Sequence, residues 1–232
     1  MKILTLESSA LAASACITED GKLLAQSYQN SGLTHSTTLL PMVDHILQTS
    51  RLKITDMDGL AITAGPGSFT GVRIGIATAK GLAMGAELPC AAVSSLAAMA
   101  WGVTLTDRVV CAVMDARAGQ VYNALFEIQD GVPHRLTPDR VITKKELQAE
   151  LISLEKAYIL VGDGAEMCYN EFILSDCILT PAHLRYPSAA GAAMEAQQLF
   201  EHGETVPAAQ LAPLYLRQPQ AVRERLAREQ KQ

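Results

Sequence analysis

The sequence predicts an α/β protein made of two related lobes, and three features carry that reading. The strand-like Leu60-Ala61-Ile62-Thr63 feeds the turn Gly65-Pro66-Gly67 and then a nearly charge-free helical segment that runs to Gly85. The chain also opens on three short strand patterns, Ile3 to Glu7, Ala12 to Thr18 and Lys22 to Tyr28, the last two joined by Glu19-Asp20-Gly21. A hairpin pattern then returns at Val109 to Asp115 and Val121 to Ile128. In both places an apolar strand ends on a carboxylate followed by small or polar residues, Glu7-Ser8-Ser9 and Asp115-Ala116-Arg117, which predicts an internal duplication. The lobes divide between Gly102 and Val109, giving 1–104 and 105–216, with a polar tail at 217–232 of mixed charge.

The remaining elements follow in order. Leu39, Leu40, Val43, Ile46 and Leu47 recur at helical spacing over 37–50, with Pro41 close to the first turn. In the glycine-rich segment Ser68 is placed to cap the helix that follows. That helix carries Gly71, Gly75, Ala79 and Ala83 every four residues. Each helix-interior glycine costs about 1 kcal/mol relative to alanine, so the stripe predicts a close approach by another element. A helix buried in its own domain and a helix covered by another chain both satisfy that condition. A strand at 89–93, a helix at 94–102, a helix near 143–151, a strand at 158–161, a helix near 188–201 and a last strand at Leu214-Tyr215-Leu216 complete the pattern. Gly162-Asp163-Gly164 reads as a plain strand-to-helix turn.

Composition narrows the function classes. With 49% hydrophobic and 19% charged residues the chain is globular. A net charge of -5 and only 5% aromatic residues argue against a free-standing nucleic-acid binder, which needs basic surface and stacking platforms. The five cysteines contain no C-x-x-C pair and read as free thiols of a reducing compartment, so a cytoplasmic location is expected. Glu7 interrupts the short apolar start before it reaches the length of a secretory segment, and no later run is long enough for a membrane span. The five histidines form no i, i+4 pair and no H-E-x-x-H; neither a G-x-S-x-G elbow nor a phosphate loop ending in Gly-Lys-Ser or Gly-Lys-Thr is present.

A hairpin turn of small residues beside a carboxylate lets backbone N–H groups approach phosphate oxygens while the acid holds a metal. On that chemistry Glu7 with Ser8, and Asp115 with Arg117, are candidate nucleotide contacts; solvated strand-end carboxylates are the plainer alternative.

Several motifs then act together. Thr34-His35-Ser36 leads into Leu40-Pro41-Met42-Val43, and Gly65 to Gly75 is followed by Lys80-Gly81-Leu82-Ala83. Val93-Ser94-Ser95-Leu96 comes next, then Met114-Asp115-Ala116-Arg117 with Val121-Tyr122, and finally Pro213-Leu214-Tyr215-Leu216-Arg217. In order and spacing, over most of the chain, these resemble the TsaB (YeaZ) family of tRNA threonylcarbamoyladenosine biosynthesis, paralogous to the catalytic TsaD. The resemblance implies a duplicated actin and hexokinase-like (ASKHA, RNase H-like) fold with a reduced second lobe. It implies a heterodimer with TsaD through the helices near 37–50 and 69–85, and a homodimer when TsaD is absent. The expected interface draws on Leu39, Val43, Ile46, Phe69, Gly71, Val72, Arg73, Gly75, Ile76 and Ala79.

It further implies a TsaE ATPase in a ternary complex, tRNA contacted only indirectly, no membrane partner and no cofactor of the chain's own. ATP or ADP at the partner interface, near Glu7, Ser8, Asp115 and Arg117, is the one nucleotide left open. The catalytic paralogue has an H-x-x-x-H metal pair after the segment equivalent to 89–93, where this chain reads Ser94-Ser95-Leu96-Ala97-Ala98-Met99. The expected role is therefore a non-catalytic partner that activates TsaD, which moves threonylcarbamoyl from threonylcarbamoyl-AMP to N6 of adenosine 37 in tRNAs reading codons that begin with A. The alternative is a stand-alone ATP-dependent phosphotransferase using Glu7 and Asp115 around a magnesium nucleotide. A peptidase reading lacks both a metal dyad and an activated nucleophile.

Overall fold

A computed structural model describes residues 1–217. The opening strands form the meander that the alternation predicts: β1 (Lys2–Glu7), β2 (Ala13–Glu19) and β3 (Lys22–Gln29), each antiparallel to the next. Helix α1 (His35–Ser50) then leads to β4 (Gly59–Gly65), which lies parallel to β1. Helix α2 (Phe69–Ala86), capped by the Ser68 hydroxyl accepting from the Gly71 N–H, leads to β5 (Pro89–Ser94), parallel to β4. Helix α3 (Ser95–Ala100) ends the first repeat.

The second repeat runs β6 (Val109–Asp115), β7 (Gln120–Gln129), β8 (Val132–Arg135), β9 (Arg140–Thr143), α4 (Lys144–Ser153), β10 (Tyr158–Val161), α5 (Ala165–Glu171) and β11 (Cys177–Leu179). The first sheet has the order β12-β5-β4-β1-β2-β3, where β12 is the short strand Val206–Pro207. The second reads β11-β10-β6-β7-β8, with β9 also on β7. With β12 and β9 set aside, both sheets place the strands of their repeat in the same spatial sequence: fifth, fourth, first, second, third. The shared order is the internal duplication that the two carboxylate-ended hairpins predicted. The second copy is reduced: α5 has 7 residues where α2 has 18, and β11 has 3 where β5 has 6.

Burial follows the periodicities. Leu39, Val43 and Ile46 of α1 and Val72 and Ile76 of α2 pack on Leu4, Leu6 and Ile62 of the first sheet. On the outer face of the second sheet, Leu147 and Leu151 of α4 and Cys168 of α5 cover Cys111, Val113 and Leu160. Between the lobes, Leu96 and Met99 of α3 pack on Val110, Ala112 and Val161. All five cysteines are free, and no helix among the described residues is long and apolar enough to cross a membrane.

Two expectations are corrected. The lobe boundary placed all of 105–216 in the second lobe. Instead α6 (Ala189–Glu201) returns to the inner face of the first sheet, and β12 pairs with β5. Ala192 and Ala196 of α6 pack on Ile3, Ala61 and Val93, and a Cβ on Gly191 would lie 2.2 Å from the Ala98 carbonyl oxygen. Helical periodicity marks a buried face but not which sheet it covers, so this return was invisible in the sequence. The last predicted strand, 214–216, is extended chain outside both sheets, tied to the first by the Leu214 N–H to the Ala64 carbonyl at 2.8 Å. Residues 218–232 of the polar tail lie outside the described residues.

Candidate functional site: an interlobe cleft and an outward helix face

The duplication brings equivalent strand ends to face one another across a cleft of about 720 Å³, lined among others by Ser9, His35, Gly67, Asp115, Arg117 and Asp163. Gly65 ends β4 and Gly162 directly follows β10, with φ of 122° and 116°, a conformation that favours glycine. Gly162-Asp163-Gly164 is thus the second-lobe counterpart of Gly65-Pro66-Gly67, a pairing that the sequence reading passed over. The repeated Gly-x-Gly directly after a strand was the signal that could have found it.

The two candidate carboxylates occupy unlike positions. Glu7 and Ser8 are completely buried and lie behind the cleft wall, so their expected role as exposed nucleotide contacts is corrected. The Ser8 hydroxyl donates to the Gly71 carbonyl at 2.9 Å, and Glu7 Oε1 accepts from both the Ser9 N–H (2.6 Å) and the Ser9 hydroxyl (2.7 Å). Burial pushes the Glu7 carboxyl up from 4.5 to about 7 against the lowering effect of the neighbouring Thr63 hydroxyl and of the Ser9 hydrogen bonds.

Asp115 and Arg117 do reach the cleft. Asp115 Oδ1 accepts the Arg117 N–H at 2.8 Å, the two side chains lie 3.5 Å apart, and Asp163 accepts the Asp115 N–H at 3.3 Å. The Asp163 residue is open to cleft water, yet desolvation around its carboxyl pushes it up to about 6. The two hairpin turns share one device: the strand-end carboxylate accepts the N–H two residues further on. In each turn one N–H that a phosphate would use is therefore already bonded to the turn's own carboxylate.

The Glu7 environment makes a measurable prediction. A carboxyl that titrates near 4.5 unfolded and near 7 folded binds its proton more tightly in the folded state. Its full contribution is therefore present below pH 4.5 and is lost as pH rises to 7, a change of about 3 kcal/mol. Glu7→Gln is expected to flatten the fall in stability between pH 5 and pH 8, read by urea melts at each pH. Equal slopes for the two proteins would show that Glu7 is not titrating in a buried site.

The helix face also departs from expectation. Leu39, Val43, Ile46, Val72, Ile76 and Ala79, assigned to a partner interface, are all buried in the first lobe. A Cβ on Gly71 would lie 2.2 Å from the Ser8 carbonyl oxygen, and one on Gly75 would lie 2.2 Å from Ser8 Oγ and 2.8 Å from Ile62 Cδ1. These glycines let α2 approach its own β1–β2 turn and β4. The plainer of the two readings of the stripe, a helix buried in its own domain, is the one that holds. Of the assigned residues, Arg73 is exposed and Phe69 half-buried.

The opposite face of α2 carries a second set of small residues at the same spacing, Ala77, Gly81 and Gly85. Ala77, Gly81 and Gly85 are exposed, and a Cβ on either glycine would meet nothing within 4 Å. Met84 beside them is 62% exposed, and Leu40 on the outer face of neighbouring α1 is 52% exposed, next to exposed Pro41.

Comparison with known proteins places this architecture. The chain is 36% identical over 221 residues to the tRNA threonylcarbamoyladenosine biosynthesis protein TsaB of Escherichia coli, covering 94% of this chain and 95% of that one. This chain belongs to the TsaB family. The family model described as "TsaD: tRNA N6-adenosine threonylcarbamoyltransferase" matches residues 29–224, consistent with common descent of TsaB and TsaD. A tRNA N6-adenosine threonylcarbamoyltransferase of Cereibacter sphaeroides is 35% identical over 111 residues, but these are 43% of this chain and 31% of that enzyme. Among solved structures, YeaZ from Pseudomonas aeruginosa superposes with a TM-score of 0.81 at 27% identity, over 93% of this chain and 99% of that one. In α3, where the resemblance implied the loss of a metal pair, Ser95 and Met99 are buried, Met99 in the packing between lobes. Among the described residues no three His, Cys, Asp or Glu side chains converge on a metal-sized site.

Proposed function

We propose that this protein is the non-catalytic partner of a TsaD transferase in tRNA threonylcarbamoyladenosine synthesis, and that it seats TsaD on the outward face of α1 and α2. The observation that carries this is the pair Gly81 and Gly85. Both are exposed on α2 and a Cβ on either would meet nothing within 4 Å among the described residues, so no contact among these offsets their helix cost of about 1 kcal/mol each. Close packing of a second helix would use them, and Met84 and Leu40 supply apolar area around the notch. The cytoplasm is the compartment this role requires.

Chemistry then resides in TsaD, which transfers threonylcarbamoyl from threonylcarbamoyl-AMP to N6 of adenosine 37. The partner activates it by binding its competent conformation more tightly. A TsaE ATPase joins the pair, tRNA is met only through TsaD, and the same face closes a homodimer when TsaD is absent. The self-occupied turns at Glu7 and Asp115 weigh against the stand-alone phosphotransferase. Mixing the chain with the TsaD of the same organism and measuring sedimentation is the test: a heterodimer is expected, together with no ATP turnover by the isolated chain. Separate sedimentation, or ATP turnover abolished by Asp115→Asn, overturns the reading.

A further inference from the structure

The last described segment lines the cleft and is fastened at four residues, Leu211, Leu214, Tyr215 and Arg217. Leu211 is buried in the first lobe's core, and the Leu214 N–H bonds the end of β4. The Leu214 carbonyl oxygen lies 2.7 Å from where a Cβ on Gly65 would stand, so the segment rests directly on that glycine. Tyr215 then stacks on Phe69 with ring centroids 5.2 Å apart and an interplanar angle of 28°. Arg73 Nε donates to the Tyr215 hydroxyl at 2.7 Å, and the guanidinium lies 3.7 Å from the Phe69 ring centroid and 5.8 Å from that of Tyr215. Two residues later Arg217 donates to the Ala116 carbonyl, and at 3.5 Å to that of Arg117, in the β6–β7 turn of the second lobe.

Holding an exposed ring and an exposed guanidinium in one geometry costs side-chain entropy, so stacking and cation–π attraction must be set against it. What that geometry fixes is a connection from α2 to the opposite wall of the cleft. Apart from this contact, the β6–β7 turn, with Arg117, Ala118 and Gly119 all at positive φ, is held by Ala116 N–H to Gln120 O, Gln120 N–H to Arg117 O, Arg117 N–H to Asp115 Oδ1 and Lys144 N–H to Gly119 O, none of which reaches the first lobe.

We propose that Leu211–Arg217 is an interlobe latch: the Phe69–Arg73–Tyr215 clamp fixes its middle, and Arg217 grips the β6–β7 turn, so that the start of α2 and the second lobe's cleft wall move as one. Arg73 is a positioning residue in this device, exposed one turn before Ala77. The latch therefore adjoins the face assigned to a partner above, but its existence is testable in the free chain, where that assignment plays no part.

Hydrogen–deuterium exchange of the full-length protein reads it. In Tyr215→Ala, amides of 115–121 are expected to exchange about tenfold faster, with β1 and β6 unchanged. Tyr215→Phe keeps the stack and loses the bond from Arg73, so a smaller acceleration follows. Arg217→Met is expected to speed exchange at 115–121 while leaving 64–70 as in wild type. If Tyr215→Ala loosens β1 as well, Arg217→Met decides alone. Wild-type exchange at 115–121 in Arg217→Met overturns the proposal.

Discussion

Gly75→Leu is expected to abolish stable folding of the isolated chain. The first atom of any side chain at residue 75 would stand 2.2 Å from Ser8 Oγ and 2.8 Å from Ile62 Cδ1, well inside contact distance. Ser8 cannot give way cheaply, because its hydroxyl is bonded to the Gly71 carbonyl and its own carbonyl abuts Gly71. The next residue's N–H anchors the buried Glu7 carboxylate. Overpacking of this kind, coupled to a buried charged group, belongs with the largest single-residue effects, above about 4 kcal/mol. Urea denaturation or the yield of soluble protein measures it. A Gly75→Leu variant that melts like wild type and fails only to bind TsaD would restore the view that this stripe faces a partner.

Gly81→Arg is expected to have the opposite profile. Position 81 is exposed, and a Cβ there meets nothing, so the substitution exchanges a poor helix former for a good one and leaves stability unchanged or raised by about 0.5 to 1 kcal/mol. At a helix–helix contact the same side chain would hold the partner off and bury a charge, weakening association by about 100-fold or more. Circular dichroism melts with sedimentation against TsaD separate the two effects. The contrast between positions 75 and 81 matters more than either alone, since both are glycines on one helix and only their faces differ.

That contrast also shows where the sequence stopped being informative. The periodicities placed β1 to β3, α1, β4, α2, β5, β6 and β7 close to where they lie, because each half-buried element must alternate with its own period. The echo of Glu7-Ser8-Ser9 in Asp115-Ala116-Arg117 reported a true duplication, which the matching strand orders display. The glycine stripe was legible as a close approach but not in its direction. A glycine pressed against its own sheet and one waiting for another chain look alike until the opposite face is seen. The depth of Glu7 was hidden for a similar reason. A strand-end carboxylate is normally solvated, and only the fold of the β1–β2 turn over α2 removes it from water. The short elements β8, β9, α5, β11 and β12 were missed, because each is too brief to show a period.

The central claim, that this chain acts by presenting the outer face of α1 and α2 to TsaD, is tested most directly by tRNA modification in a reconstituted system. TsaD would be supplied with threonylcarbamoyl-AMP and unmodified tRNA, alone, with the wild-type chain, and with folded Gly81→Arg. Strong stimulation by wild type and its loss in Gly81→Arg is the predicted result; modification at the same rate in all three mixtures would contradict it.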